Sequence, residues 1–151
     1  MNLFDKLPKM GESDRKHVFD VADFFRSLNV TARREGILVL ADYSNEKEIW
    51  KNGSEGSIPL PDATDQEIDV FNILLNLVLD GADPEIVRDV AKYLISSSDE
   101  MNSSQLTLMI GAEAIIAIQA GENDRILCPR LASMMSWPYC AEYYDSRQEK
   151  W

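Results

Sequence analysis

The chain has 151 residues, enough for one domain with a real core, and its apolar (45%) and charged (27%) fractions are ordinary for a globular protein. A formal net charge of −11 excludes nucleic acid and anionic lipid as natural partners, because both demand basic patches. Residues 1–12 mix charged and apolar groups and lack the apolar run of a secretory signal, so a single cytoplasmic domain is expected over 1–151.

The first predicted element is one long amphipathic helix from about Ser13 or Asp14 to Tyr43. Apolar or small residues stand at Val18, Val21, Phe25, Leu28, Ala32, Gly36, Val39 and Tyr43, each three or four residues after the last. Residues 44–63 break that period with Gly, Pro, Ser and Asn and read as a loop. The GSEGS within it (53–57) imitates a phosphate loop only superficially, since no strand precedes it and no helix opens on it. Thr64 or Asp65 caps the next helix, which ends at Gly81. Asp83 and Pro84 restart helix at once, as N-cap and first helical residue, and this helix runs to about Ile95.

Ser103 or Ser104 opens a further helix to about Gly121. It is apolar nearly all round and so belongs in the middle of a bundle. The least charged window, 101–121, carries Glu113 as its only charge but too many Ser, Asn, Gln and Thr side chains for a membrane span. A last helical stretch, Asn123 to Met135, contains Pro129, and a break or kink is expected there, with Cys128–Pro129 starting a new segment. The tail WPYCAEYYDSRQEKW is expected to lie across the body as a docked strap. The whole predicts an all-α bundle of about five to six helices led by one long N-terminal helix.

Chemistry-bearing patterns are sparse. His17 is the only histidine, Cys128 and Cys140 lack the paired spacing of zinc sites, and the acids have no nucleophile or base set against them in pattern. The two cysteines fit a cytosolic chain as free thiols, and nothing in their spacing requires a disulfide. No enzyme activity, metal or cofactor is expected. Glu113 falls on the apolar stripe of Leu106, Met109, Ile110 and Ile116, and a buried carboxylate needs a partner. Arg33, Arg34 and Arg125 are the candidates.

Three stretches go beyond composition: TARREGILVLAD (31–42), LVLDGADPEIVRDVAKYL (77–94) and GAEAIIAIQAGENDRIL (111–127). In this order they resemble the cytoplasmic region of the flagellar motor stator A subunits, the MotA/PomA family, over most of 14–43, 66–95 and 108–136. Gly36, Gly81, Asp83, Pro84, Glu113 and Gly121 are the structural positions of that match. In the family a pair of membrane helices separates the segments like 84–95 and 108–123, and another pair precedes the segment like 14–43. Here SSSDEMNSS (96–104) stands where the second pair belongs. The resemblance therefore implies a stator cytoplasmic domain without membrane helices and without an ion path.

What the resemblance leaves is contact with a protein partner, the rotor switch protein or the stator itself, through Arg33, Arg34, Glu35 and Asp42. Arg33 stands three residues before Gly36, as the family motif has it. The family's acid five residues after that glycine is Ala41 here, and Asp42 is one helical step away. Asp124 replaces the family's helix-starting proline, and Pro129 lies where its helix continues. The alternative is a cytosolic ligand-binding or signalling domain that reuses the scaffold without a role in motility. If 96–103 replaces a membrane hairpin, the flanking helices are expected to pair antiparallel.

Overall fold

The computed structural model of the chain describes residues 7–53, 58–96 and 103–147. Among these residues every regular element is helical: a 3-10 turn Glu12–Asp14, α1 Arg15–Glu35, a 3-10 segment Ile37–Asp42, α2 Lys47–Asn52, α3 Asp65–Leu79, α4 Pro84–Ser96, α5 Ser103–Ala120, α6 Asp124–Ala132 and α7 Tyr139–Ser146. No helix among them is long and apolar enough to cross a membrane. Residues 54–57 of GSEGS and residues 97–102 of SSSDEMNSS lie outside the described residues, as does the tail from 148.

α5 is the axis of the bundle, as its all-round apolarity predicts. Every residue from Gln105 to Ile118 is buried, and α1, α3, α4 and α6 all pack on it. α4 runs antiparallel to α5. Arg88 meets Glu113 and the Gln119 amide donates to the Ala82 carbonyl, so both contacts share one register. Boundaries follow local chemistry. Thr64 and Glu67 form a reciprocal capping box at the start of α3, and Asn123 accepts from the Arg125 N–H at the start of α6. Gly81 (φ 83°) and Gly121 (φ 70°) close α3 and α5.

The expected single helix to Tyr43 is not formed. Gly36 takes φ 95°, a left-handed value that stops α1 at Glu35, and the chain continues as a 3-10 segment. Of the expected positions beyond Ala32 only Tyr43 is buried; Gly36 is exposed, Val39 is partly buried, and Leu40, outside the expected period, takes the inward place three residues before Tyr43. The expected loop 44–63 contains α2, whose Trp50 is fully buried. Its indole sits among Phe24, Phe25, Tyr43 and Phe71 with ring centroids 5.4, 6.3, 5.4 and 5.8 Å away. The indole N–H reaches both the Tyr43 carbonyl and Asn72 Oδ1, so the ring is buried with its polar atom satisfied.

Two expectations about the C-terminal part also change. α6 runs through Pro129 without a break. The carbonyl that Pro129 leaves unpaired belongs to Arg125, which is exposed, so water can satisfy it. The tail is docked, but as helix α7. Tyr143 is fully buried against Phe19 (5.1 Å between ring centroids), and its hydroxyl donates to Asp23 Oδ1 at 2.8 Å.

Candidate interaction surface

Arg33, Arg34 and Glu35 form the last turn of α1 and are all exposed. What fixes that turn in space is a buried polar network one to two turns earlier. Arg26 is only 1% exposed, yet it holds Asp124 at 2.9 and 2.7 Å and also donates to the Tyr143 hydroxyl and the Arg147 carbonyl, both at 3.3 Å. Burial opposes its charge, but these acceptors outweigh that and push the guanidinium pKa upward. Burial and the Asp23 charge in turn push the Tyr143 hydroxyl well above its ordinary range, so it stays a donor. Asn29 adds a bond from its amide to the Glu122 carbonyl at 2.9 Å. Together Arg26 and Asn29 fasten the start of α6 to α1.

The result is an open cavity of about 350 Å³ lined by Val30, Arg33, Arg34, Asn123 and Asp124. Asp124 is occupied by Arg26, while Arg33 and Arg34 form no ion pair among the described residues. Two exposed guanidinium groups at the mouth of a cavity make a cationic spot on a chain of net charge −11, able to receive carboxylates through paired N–H donors. Asp42 is exposed at the end of the 3-10 segment. It does not continue the α1 face as expected. Gly36 turns the chain, and a 3-10 segment advances about 120° per residue rather than about 100°.

Glu113 is paired, as its burial requires, but with other arginines than expected. It is 5% exposed and bound by Arg130 of α6 and by Arg88 of α4 at 3.4 Å, not by Arg33, Arg34 or Arg125. It joins α4, α5 and α6 and so acts as a structural position. Asp83 and Pro84 open α4, with Asp83 accepting from the Ile86 and Val87 N–H groups through its carbonyl.

A second feature is one that the sequence reading passed over. His17 Nε2 lies 3.0 and 2.9 Å from the two oxygens of Glu67, in a cavity of about 190 Å³ lined also by Ser13, Thr64, Ser103 and Thr107. The Glu67 bond raises the His17 pKa, with burial pulling the other way. Burial raises that of Glu67, but bonds from His17, the Thr64 N–H and Thr107 outweigh it and hold the carboxyl low. The other ring nitrogen, Nδ1, is buried without a hydrogen-bond partner among the described residues. The Thr64–Glu67 capping spacing was the available signal, but nothing local tied it to His17 fifty positions away.

Cys128 and Cys140 are free thiols, and among the described residues no group of three His, Cys, Asp or Glu side chains is placed to hold a metal. No family model matches the chain, and no curated protein or solved structure matches it.

Proposed function

We propose that the chain is a non-enzymatic protein-interaction module of the flagellar motor, related to the cytoplasmic domain of stator A subunits and lacking an ion path. In this reading it works at the cytoplasmic face, where Arg33 and Arg34 meet an acidic surface of the rotor switch protein and Glu35 and Asp42 set the orientation. The observation that carries the reading is the pair of exposed arginines at the end of α1, without an ion pair among the described residues and held in place by the Arg26–Asp124 anchor. Charge steering of this kind acts mainly on association rate. The test is binding of the purified chain to immobilised rotor switch protein across a salt series, with Arg33→Glu/Arg34→Glu as comparison. The double reversal is expected to slow association roughly tenfold at low salt and to flatten its salt dependence.

A specific observation favours the second reading, a small-ligand domain built on the same scaffold. The cavity beside His17 holds about 190 Å³, below the usual range of drug-sized pockets but enough for a small polar ligand, and it is lined by His17, Glu67, Thr64 and Thr107. Equal binding by wild type and double reversal favours this reading over the first.

A further inference from the structure

α3 and α4 form an antiparallel hairpin whose outer seam is apolar and open. Three contacts fix which side of each helix faces which neighbour. On α3, Asn72 and Asn76 turn toward the 3-10 segment and α2, where they meet Trp50 and Ser44. One residue further round, Ile73 and Leu77 therefore lie on the flank toward α4. On α4, Arg88 reaches α5 at Glu113, while Val87, Ala91 and Ile95 are buried beneath. The opposite flank, Ile86, Val90 and Tyr93, therefore turns toward α3. Ile73, Ile86 and Tyr93 are 43%, 48% and 70% exposed, and Leu77 and Val90 are partly buried between them. Single exposed apolar residues mean little, but five along one seam are a contiguous patch.

The two edges of the seam are predominantly acidic. On α3 the helical angles set Asp69 and Asp80 on the line of Ile73, and on α4 they set Asp89 beside Tyr93, with Glu85 one turn before Asp89. All four are exposed. Asp69 has a loose 3.6 Å pair with Lys47, and the other three form no ion pair among the described residues. Lys92 stands within about 20° of Glu85 on the same angles and three residues beyond Asp89, and Lys47 stands by Asp69, so each edge also carries a lysine on its outer side. An apolar floor between two acidic rims repels a second copy of the same surface, and repels phosphate-bearing polymers and lipids. It matches one chemistry: a helix with an apolar stripe bordered by Lys or Arg.

We propose that the α3–α4 seam binds a basic amphipathic helix of a partner protein, with Tyr93 and Ile86 as apolar anchors and Glu85, Asp89, Asp69 and Asp80 as the orienting rim. From Ile86 to Tyr93 the seam is about 10 Å long, which accommodates roughly two turns of a docked helix. No residue of the Arg33–Arg34 surface takes part, so the two surfaces stand or fall separately.

The test titrates the isotope-labelled full chain with a capped Leu/Lys peptide of about 14 residues patterned as an amphipathic helix. A peptide of identical composition with the pattern scrambled is the control for plain polycation attraction. Expected are amide shifts confined to about 69–93, affinity at least roughly tenfold above the scrambled peptide, and a loss of about tenfold in each of two variants, Tyr93→Ala and Glu85→Lys/Asp89→Lys. All substituted residues are exposed, and thermal melts verify that both variants fold. Equal affinity for the two peptides, shifts centred elsewhere, no saturable binding at millimolar peptide, or unchanged affinity in both variants overturns the proposal. So does sedimentation of the chain alone as a dimer that Tyr93→Ala dissociates, because the occupant is then a second copy.

Discussion

Gly111 gives the sharpest test of how the core is packed. It sits in the middle of α5, a position where alanine is normally the better helix former by about 0.5–1 kcal/mol. Here a Cβ meets the edge of the Phe71 ring, 2.2 Å from Cε1, 2.7 Å from Cζ and 2.9 Å from Cδ1. Ordinary carbon contacts are about 3.5–4.0 Å, so more than about 1 Å must be recovered by movement. The ring cannot easily retreat, because Phe25 stands edge-on at 4.9 Å and Trp50 at 5.8 Å, all three fully buried. Relief must come from pushing α5 away from α3, and overpacking of this kind costs about 1–3 kcal/mol. It outweighs the helix-propensity gain, so Gly111→Ala is expected to destabilise by about 1–2 kcal/mol, or roughly 2–8 °C in Tm. Urea and thermal unfolding followed by circular dichroism at 222 nm measure it. In a Phe71→Leu background the same change is expected to be neutral or stabilising, because the colliding ring edge is gone. A more stable Gly111→Ala in the wild-type background refutes the close seating of Phe71 on α5.

Four further outcomes are expected. Glu113→Ala should cost about 1–3 kcal/mol by chemical denaturation, at the lower end of buried-pair losses because Arg88 and Arg130 can turn to water. For the His17–Glu67 pair, a raised His17 pKa stabilises fully below about 6.5 and a lowered Glu67 pKa stabilises above about 4.5. Its contribution is therefore greatest between those values and fades as pH rises through the folded His17 pKa. The stability gap between wild type and His17→Gln should accordingly shrink from pH 6 to pH 9. Inserting a few Gly and Ser residues after Ser98 should leave Tm nearly unchanged, since doubling a flexible loop costs only ~0.6 kcal/mol; a fall of many degrees contradicts a simple connection there. Arg33→Glu/Arg34→Glu should unfold within about 0.5 kcal/mol of wild type, as both side chains are exposed and form no ion pair among the described residues.

What the sequence makes legible is what local rules control. The Thr64–Glu67 box, the Gly81 stop, the Asp83–Pro84 start and the all-round apolarity of α5 each express a preference of a few neighbouring residues. The break at Gly36 was hidden because Gly36, Val39 and Tyr43 continue the three-and-four spacing, while the 3-10 segment buries Leu40 rather than Val39. α2 was hidden because its six residues are too few for a periodic signal, although a tryptophan in a polar stretch marks a chain that must return to the core. Glu113 announced that it needs a cation but not which one. The choice of Arg88 and Arg130 follows from the α4–α5 register and the placement of α6, which are long-range properties. The Arg33–Arg34 turn was legible as exposed charge, while the cavity beside it depends on Arg26 reaching Asp124 almost a hundred positions away.

The central claim is that the Arg33–Arg34 surface is what meets the rotor. Its most direct test is a nuclear magnetic resonance titration of the labelled full chain with unlabelled rotor switch protein at low salt, repeated on Arg33→Glu/Arg34→Glu. The account predicts saturable binding with amide shifts gathered at 30–42 and 123–124, and their loss in the double reversal. No binding, or equal binding with shifts gathered on other faces such as the α3–α4 seam, contradicts it.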